Sequence, residues 1–192
     1  MPLRCTWWTS PCSATHDATG SGGQELADRV AGRLAELRAG GADVVVCTCS
    51  TIGGLAESVG GAGAWRVDRP AAGRAVASGR RVGVVVALES TVEPTCALLE
   101  EEAARAGVRP TVEVLLAEGA WAAWEAGDLA GYLERVARSA RLLADRSDVV
   151  LLAQASMAGA VALLDDVSVP VISTPASAVE WAVASGPDLA GH

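Results

Sequence analysis

Phenylalanine and lysine are absent from this 192-residue sequence, and tyrosine occurs once. Six tryptophans make up almost all of the aromatic content, which is 4% of the chain. Every basic residue is therefore an arginine, 15 in all against 23 acidic residues, for a net charge of −8. An acidic chain without an arginine cluster argues against nucleic acid as a partner. No apolar run approaches the roughly 18 residues of a membrane span. The opening MPLRCTWWTSPCSA also lacks the long apolar core of a signal peptide. No membrane partner is expected, and the expected location is cytoplasmic. Histidine is scarce: His192 is terminal, and His16 lies in a polar loop and reads as solvent-exposed. Cysteine is present in an odd number, five, in a chain that needs no staples. The thiols are expected to be reduced, and any special one to be chemical rather than structural.

What is present is apolar: 51% of residues are hydrophobic and 20% charged, enough to bury a sizeable core and inconsistent with a disordered chain. The length allows one large domain or two small lobes. Short, β-branched runs at residues 44–47 (VVVC), 82–87 (VGVVVA), 111–117 (TVEVLLA), 149–153 (VVLLA) and 169–173 (VPVIS) read as strands buried on both faces. Helical patterns fall between them, at 24–38, 95–106, 128–145, 157–164 and 177–184. Strand alternating with helix predicts an α/β fold with parallel sheets flanked by helices.

An internal repeat organises these units. DVVVCTCSTIGG from Asp43 aligns with DVVLLAQASMAG from Asp148 at a constant offset of about 105 residues. The same offset carries Val67-Asp-Arg-Pro70 onto Ile172-Ser-Thr-Pro175. Two related half-units are expected, the first one shortened, with only residues 3–9 able to supply an edge strand there. The polar stretch 10–23 reads as a loop.

The chemistry concentrates where strands give way to helices, since ligands of parallel sheets sit at the carboxyl ends of strands. Cys49 closes the first such strand and meets free backbone amides and the positive end of a helix, both of which favour a thiolate. Ser50 and Thr51 add hydroxyls that could hold a carboxylate. Cys47 lies within the strand and reads as a small core residue. C-x-C spacing without a second Cys or His pair argues against metal. After the strand at 82–87, Ser90 and Thr91 could bind an anion, or Thr91 and Thr95 could cap the next helix. Cys96 reads as packing. Gln154, Ala155 and Ser156 occupy the repeat positions of Cys49, Ser50 and Thr51, and Gln154 can hydrogen-bond but cannot exchange protons near neutral pH. Trp121, Trp124 and Trp181 read as core or interface.

VVVCTCSTIGGLAE, RVDRPA, GVVVALESTVEPT, VVLLAQASMAGA and VPVISTPASAVE, in that order over about residues 43–184, together resemble the aspartate/glutamate racemase superfamily, which includes hydantoin racemases, maleate isomerases and arylmalonate decarboxylase. The resemblance implies two α/β lobes related by a pseudo-twofold axis with the site between them. Lobe 1 would comprise residues 1–81 and 173–192, with its N-terminal part shortened, and lobe 2 residues 82–172. It implies a small carboxylate substrate, no metal or pyridoxal cofactor, and a homodimer. It also implies a pair of cysteines, one removing the α-proton and the other reprotonating the opposite face. Cys49 matches the first, with Ser50 in the place of the family's Asn and Thr51 kept; Thr91, with Ser90, matches the carboxylate-binding hydroxyl. The second cysteine falls on Gln154.

That departure leaves three readings. The chain could be a cofactor-independent isomerase or racemase with Cys49 as general acid/base, its proton returned from the same side or from water. It could be a single-cysteine decarboxylase or lyase of the same superfamily. It could also bind a carboxylate, or assemble with a partner, without turnover.

Overall fold

The computed structural model describes residues 5–7 and 21–185. His16, most of the 10–23 loop and His192 lie outside the described residues. The elements in chain order are β1 (Cys5–Trp7), α1 (Ser21–Ala39), β2 (Val45–Cys47), α2 (Gly53–Gly60), β3 (Ala64–Arg66), α3 (Arg69–Ser78), β4 (Arg81–Val86), α4 (Val92–Ala106), β5 (Thr111–Leu116), α5 (Ala120–Glu125), α6 (Leu129–Ala144), β6 (Val149–Leu152), β7 (Val171–Ser173) and α7 (Thr174–Ser185). Two 3-10 segments, Glu89–Thr91 and Ala155–Leu163, follow β4 and β6. The second replaces the α-helix expected at 157–164.

The fold is α/β, with parallel sheets flanked by helices. A five-stranded sheet runs β1-β5-β4-β6-β7 and a separate two-stranded sheet pairs β2 with β3. Every pairing is parallel. The edge strand expected to serve the first half is instead the edge of the large sheet, where β1 pairs with β5 through Cys5↔Val112. The repeat is visible in the elements: β2-α2-β3-α3 corresponds to β6, the 3-10 segment, β7 and α7. In each unit the two strands are parallel neighbours.

Strand alternation divides the core into two layers. Val82, Val84 and Val86 with Val149 and Leu151 face one side, against Ala71, Ala72, Ala75 and Val76 of α3 and Leu98, Leu99 and Ala103 of α4. Val85, Val150 and Leu152 face the other, against Tyr132, Val136, Ala137, Ala140 and Leu143 of α6. That helical spacing puts one apolar stripe of α6 on the sheet, and Asp128 caps its start by accepting from the Gly131 N–H at 2.9 Å. Gly107, left-handed at φ 69°, ends α4. The small sheet has a much smaller core of Leu34, Val45 and Ala64. Trp181 packs on Trp65 with ring centroids 4.9 Å apart, whereas Trp124 is 41% exposed and stacks on Trp121.

Asp148, at the entry to β6, accepts from the backbone N–H groups of Arg80 and Arg81, both at 2.9 Å, and from the Arg81 guanidinium at 2.6 Å. Gly79 permits this approach, because a Cβ there would lie 2.4 Å from the Asp148 Cβ. The Arg81 side chain, then the two N–H groups, hold the Asp148 carboxyl below its ordinary value. A carboxyl lowered on folding stabilises above its unfolded pKa of about 4, and that contribution is lost as pH falls through the folded value. The thermal midpoint of Asp148→Asn is therefore expected to lie below that of the wild type at pH 7, with the gap closing below about pH 4; differential scanning calorimetry at the two pH values checks this.

Candidate functional site

The carboxyl ends of β2, β4 and β6 converge through side-chain bonds to backbone. Ser50, 6% exposed, donates its hydroxyl to the carbonyl of Ala153 at 3.0 Å across 103 residues of sequence. One residue before Ser50 stands Cys49, and one residue after Ala153 stands Gln154. The two turns that the repeat equates are thus laid beside each other. Gln154 in turn accepts the Ala87 N–H at 2.6 Å through its amide oxygen, which joins the end of β6 to the end of β4. That bond orients the amide: the oxygen is occupied, and the NH2 group has no partner among the described residues.

Cys49 is exposed, and Cys47 is half-buried with its thiol donating to the Cys49 carbonyl at 3.6 Å. Burial raises the Cys47 thiol above its ordinary value, and backbone hydrogen bonding at Cys49 only partly offsets it. Cys47 is therefore a protonated thiol at neutral pH, and Cys49 is the more exposed of the two side chains. Cys49 does not sit at the first turn of α2; a turn over residues 50–52 intervenes before Gly53.

The other expected residues divide. Thr51 and Ser90 are exposed, with hydroxyls at the surface. Thr91 is buried and donates to the Leu88 carbonyl at 2.6 Å, while Thr95 donates back to the Thr91 carbonyl at 2.6 Å. The Ser50 and Thr91 hydroxyl protons, expected as carboxylate donors, are committed to backbone carbonyls, so these two residues shape the turns instead. Ser156 is half-buried and meets the hydroxyl of Tyr132 at 2.7 Å. Burial raises the Tyr132 phenol above its ordinary value, more than the Ser156 bond lowers it. Ala155 is half-buried between them in sequence.

The residues that sequence reasoning missed are charged. Arg66 is buried at the end of β3, and its guanidinium forks onto Asp68 at 2.6 and 2.9 Å. Arg69 binds Glu57 of α2 and Glu101 and Glu102 of α4 at 2.5–2.9 Å. These carboxylates, Glu57 foremost, hold its guanidinium protonated well beyond the usual arginine range. The only local signal was opposite charge two residues apart, and Asp68 lies in the turn after β3 rather than on its face. A cleft of about 410 Å³ between α3, α4 and α7 is lined in part by Arg66, Arg69, Trp65 and Trp181, and by none of the expected site residues.

The fold has counterparts among solved structures. Arylmalonate decarboxylase superposes with a TM-score of 0.54 at 20% identity over 90% of this chain and 78% of its own. A glutamate racemase of Bacillus anthracis gives 0.59 at 14% identity over 88% and 69%. The chain has the Asp/Glu racemase fold. An allantoin racemase of Klebsiella pneumoniae, at TM-score 0.56 and 22% identity, covers 84% of this chain and 71% of its own. No protein-family model and no curated protein sequence matches the chain. The likeness agrees with the resemblance read from the sequence at the level of architecture. Among the described residues, no helix is long and apolar enough to cross a membrane.

Gln154→Ala would leave the buried Ala87 N–H without its acceptor. The expected cost is about 1–3 kcal/mol, read as a lower urea midpoint at unchanged slope.

Proposed function

We propose that this chain is a cofactor-independent enzyme of the racemase and decarboxylase type, acting at the carbon beside a carboxylate, with Cys49 as general acid/base. The observation that carries the reading is the 3.0 Å bond from Ser50 to the Ala153 carbonyl. It ties the turn that carries the exposed Cys49 to the turn that carries Gln154, which supports assigning both to one site. Structural neighbours that include racemases and a decarboxylase support the reaction class.

In the isomerase form of the reaction, the Cys49 thiolate takes the α-proton. The C–H bond breaks, an S–H bond forms, and the electron pair spreads into the substrate carboxylate. Hydrogen-bond donors aimed at that developing charge are what lower the barrier. The proposed donors are the backbone N–H groups of the 49–51 turn, the Thr51 and Ser90 hydroxyls and the NH2 of Gln154. Ser50 and Thr91 hold the turns, and Ala155 and Ser156 shape the wall beyond Gln154. A proton returned by the Cys49 thiol reaches the face it left and reforms the starting enantiomer; inversion takes a proton from water at the opposite face, and the Cys49 proton then passes to solvent.

A decarboxylase reading is favoured by one observation: the position facing Cys49 in the repeat is an amide, which supplies no second acid or base. There the C–C bond to the leaving carboxylate breaks, CO2 departs, and a single Cys49 thiol protonates the carbanion. The proposed working form is a cytoplasmic homodimer of two-lobed chains, with the small β2–β3 unit as one lobe and the large sheet as the other; β1, grouped by the sequence with the first lobe, belongs to the second, where it pairs with β5. The exposure of Val179 and Val183 on α7, 64% and 79%, supports a covered face in an assembly.

The test is α-proton exchange in D2O followed by NMR, with both enantiomers of aspartate and glutamate, simple hydantoins, maleate and an arylmalonate. Exchange or decarboxylation is expected on at least one of them. Cys49→Ala should lower it by at least about a hundredfold, the usual weight of a positioned acid/base. Unchanged turnover in the variant removes Cys49 from the mechanism. Peptide-resolved iodoacetamide alkylation gives a second reading: a half-point for Cys49 well under about pH 8 supports an activated thiol, and that of an ordinary thiol favours binding without turnover.

A further inference from the structure

We propose that Arg66 is a positioning residue for the Cys49 turn, pinning residues 50–54 and tying them to the first turn of α4. The proposal deepens the acid/base reading above and rests on it for its catalytic meaning.

The Arg66 side chain is 3% exposed. Nε and Nη2 grip the two oxygens of Asp68 at 2.6 and 2.9 Å, the fork geometry that fixes a guanidinium plane. Nη2 also reaches the Ser50 carbonyl at 3.4 Å and the Pro94 carbonyl at 3.5 Å. The backbone N–H of Arg66 donates to Glu57 of α2 at 3.1 Å. One buried side chain thus addresses the turn that follows β2 and the helix that follows the Ser90–Thr91 segment.

The glycine pair of STIGG gives independent support. A Cβ on Gly53 would lie 3.0 Å from both Cβ and Nε of Arg66, and a Cβ on Gly54 would lie 3.4 Å from Nη1. Gly53 starts α2 with ordinary φ, since it is not among the residues with positive φ. Its lack of a side chain therefore serves the close approach rather than backbone conformation. The turn carrying Cys49 is packed directly against the guanidinium, and Ser50 is held from its other side by Ala153. Lysine cannot reproduce this: a single ammonium has no plane to fork onto Asp68 while reaching two carbonyls.

The experiment uses the full chain with Arg66→Lys, and with Arg66→Met paired with Asp68→Leu so that no buried charge is left alone. Circular dichroism and thermal melting identify folded variants. Hydrogen exchange resolved by mass spectrometry then reads residues 48–54 against β4 and β6, and iodoacetamide reads the pH half-point of Cys49. The expected result is exchange at least tenfold faster over 48–54, unchanged exchange in β4 and β6, and a Cys49 half-point displaced by one pH unit or more. Unchanged exchange over 48–54 in a folded variant overturns the proposal. So does exchange raised evenly along the chain, which would make Arg66 part of general packing. A half-point that stays in place while the turn loosens overturns the service of the pin to the thiol. A wild-type Cys49 that titrates as an ordinary thiol, or Cys49→Ala without effect on turnover, sinks the acid/base reading instead, and the exchange data still decide the pin.

Discussion

The small sheet depends on its arginines. Two strands of three residues over a core of Leu34, Val45 and Ala64 cannot hold themselves together. What joins them to the rest is largely polar: Arg66, fixed by Asp68, reaching the Pro94 carbonyl, Arg69 across Glu57, Glu101 and Glu102, and Ser50 on Ala153, with Trp65 packed on Trp181. Buried ion pairs add little net stability over apolar packing of the same shape, but removing one partner costs about 3–5 kcal/mol. Their contribution is geometric. They prescribe one way for β2-α2-β3 to sit against α4 and the ends of β4 and β6.

How much of this could be read from the sequence depended on the kind of force involved. The strands of the large sheet were legible because burial on both faces demands unbroken β-branched runs, as in RVGVVV and VVLL. The amphipathic stripe of α6 was legible for the same reason. β3 was not, because Ala64-Trp65-Arg66 is short and carries a charge. Nor was α3, whose buried face is alanine and gives little periodic contrast. The edge role of β1 depends on a partner more than 100 residues away, which no local pattern reports.

The candidate site divides along the same line. Cys49 could be singled out because a strand-to-helix turn is a local feature. The fate of the hydroxyls could not, since the acceptors of Ser50 and Thr91 are carbonyls, and every residue carries one. Gln154 was noticed as a departure from a pattern, and the structure adds what the departure does. Its oxygen adds a side-chain bond where the paired strands β4 and β6 end, a task that a thiol, as a weak acceptor, would perform poorly.

The contact between Gly53 and Arg66 has a further consequence. A methyl group at position 53 would lie 3.0 Å from both Cβ and Nε of Arg66, so Arg66 would have to give by a few tenths of an ångström, and a shorter side chain at 66 would relieve only the Nε contact. The contact couples the two positions, so that the space open to a side chain at 53 is set by how far position 66 can shift.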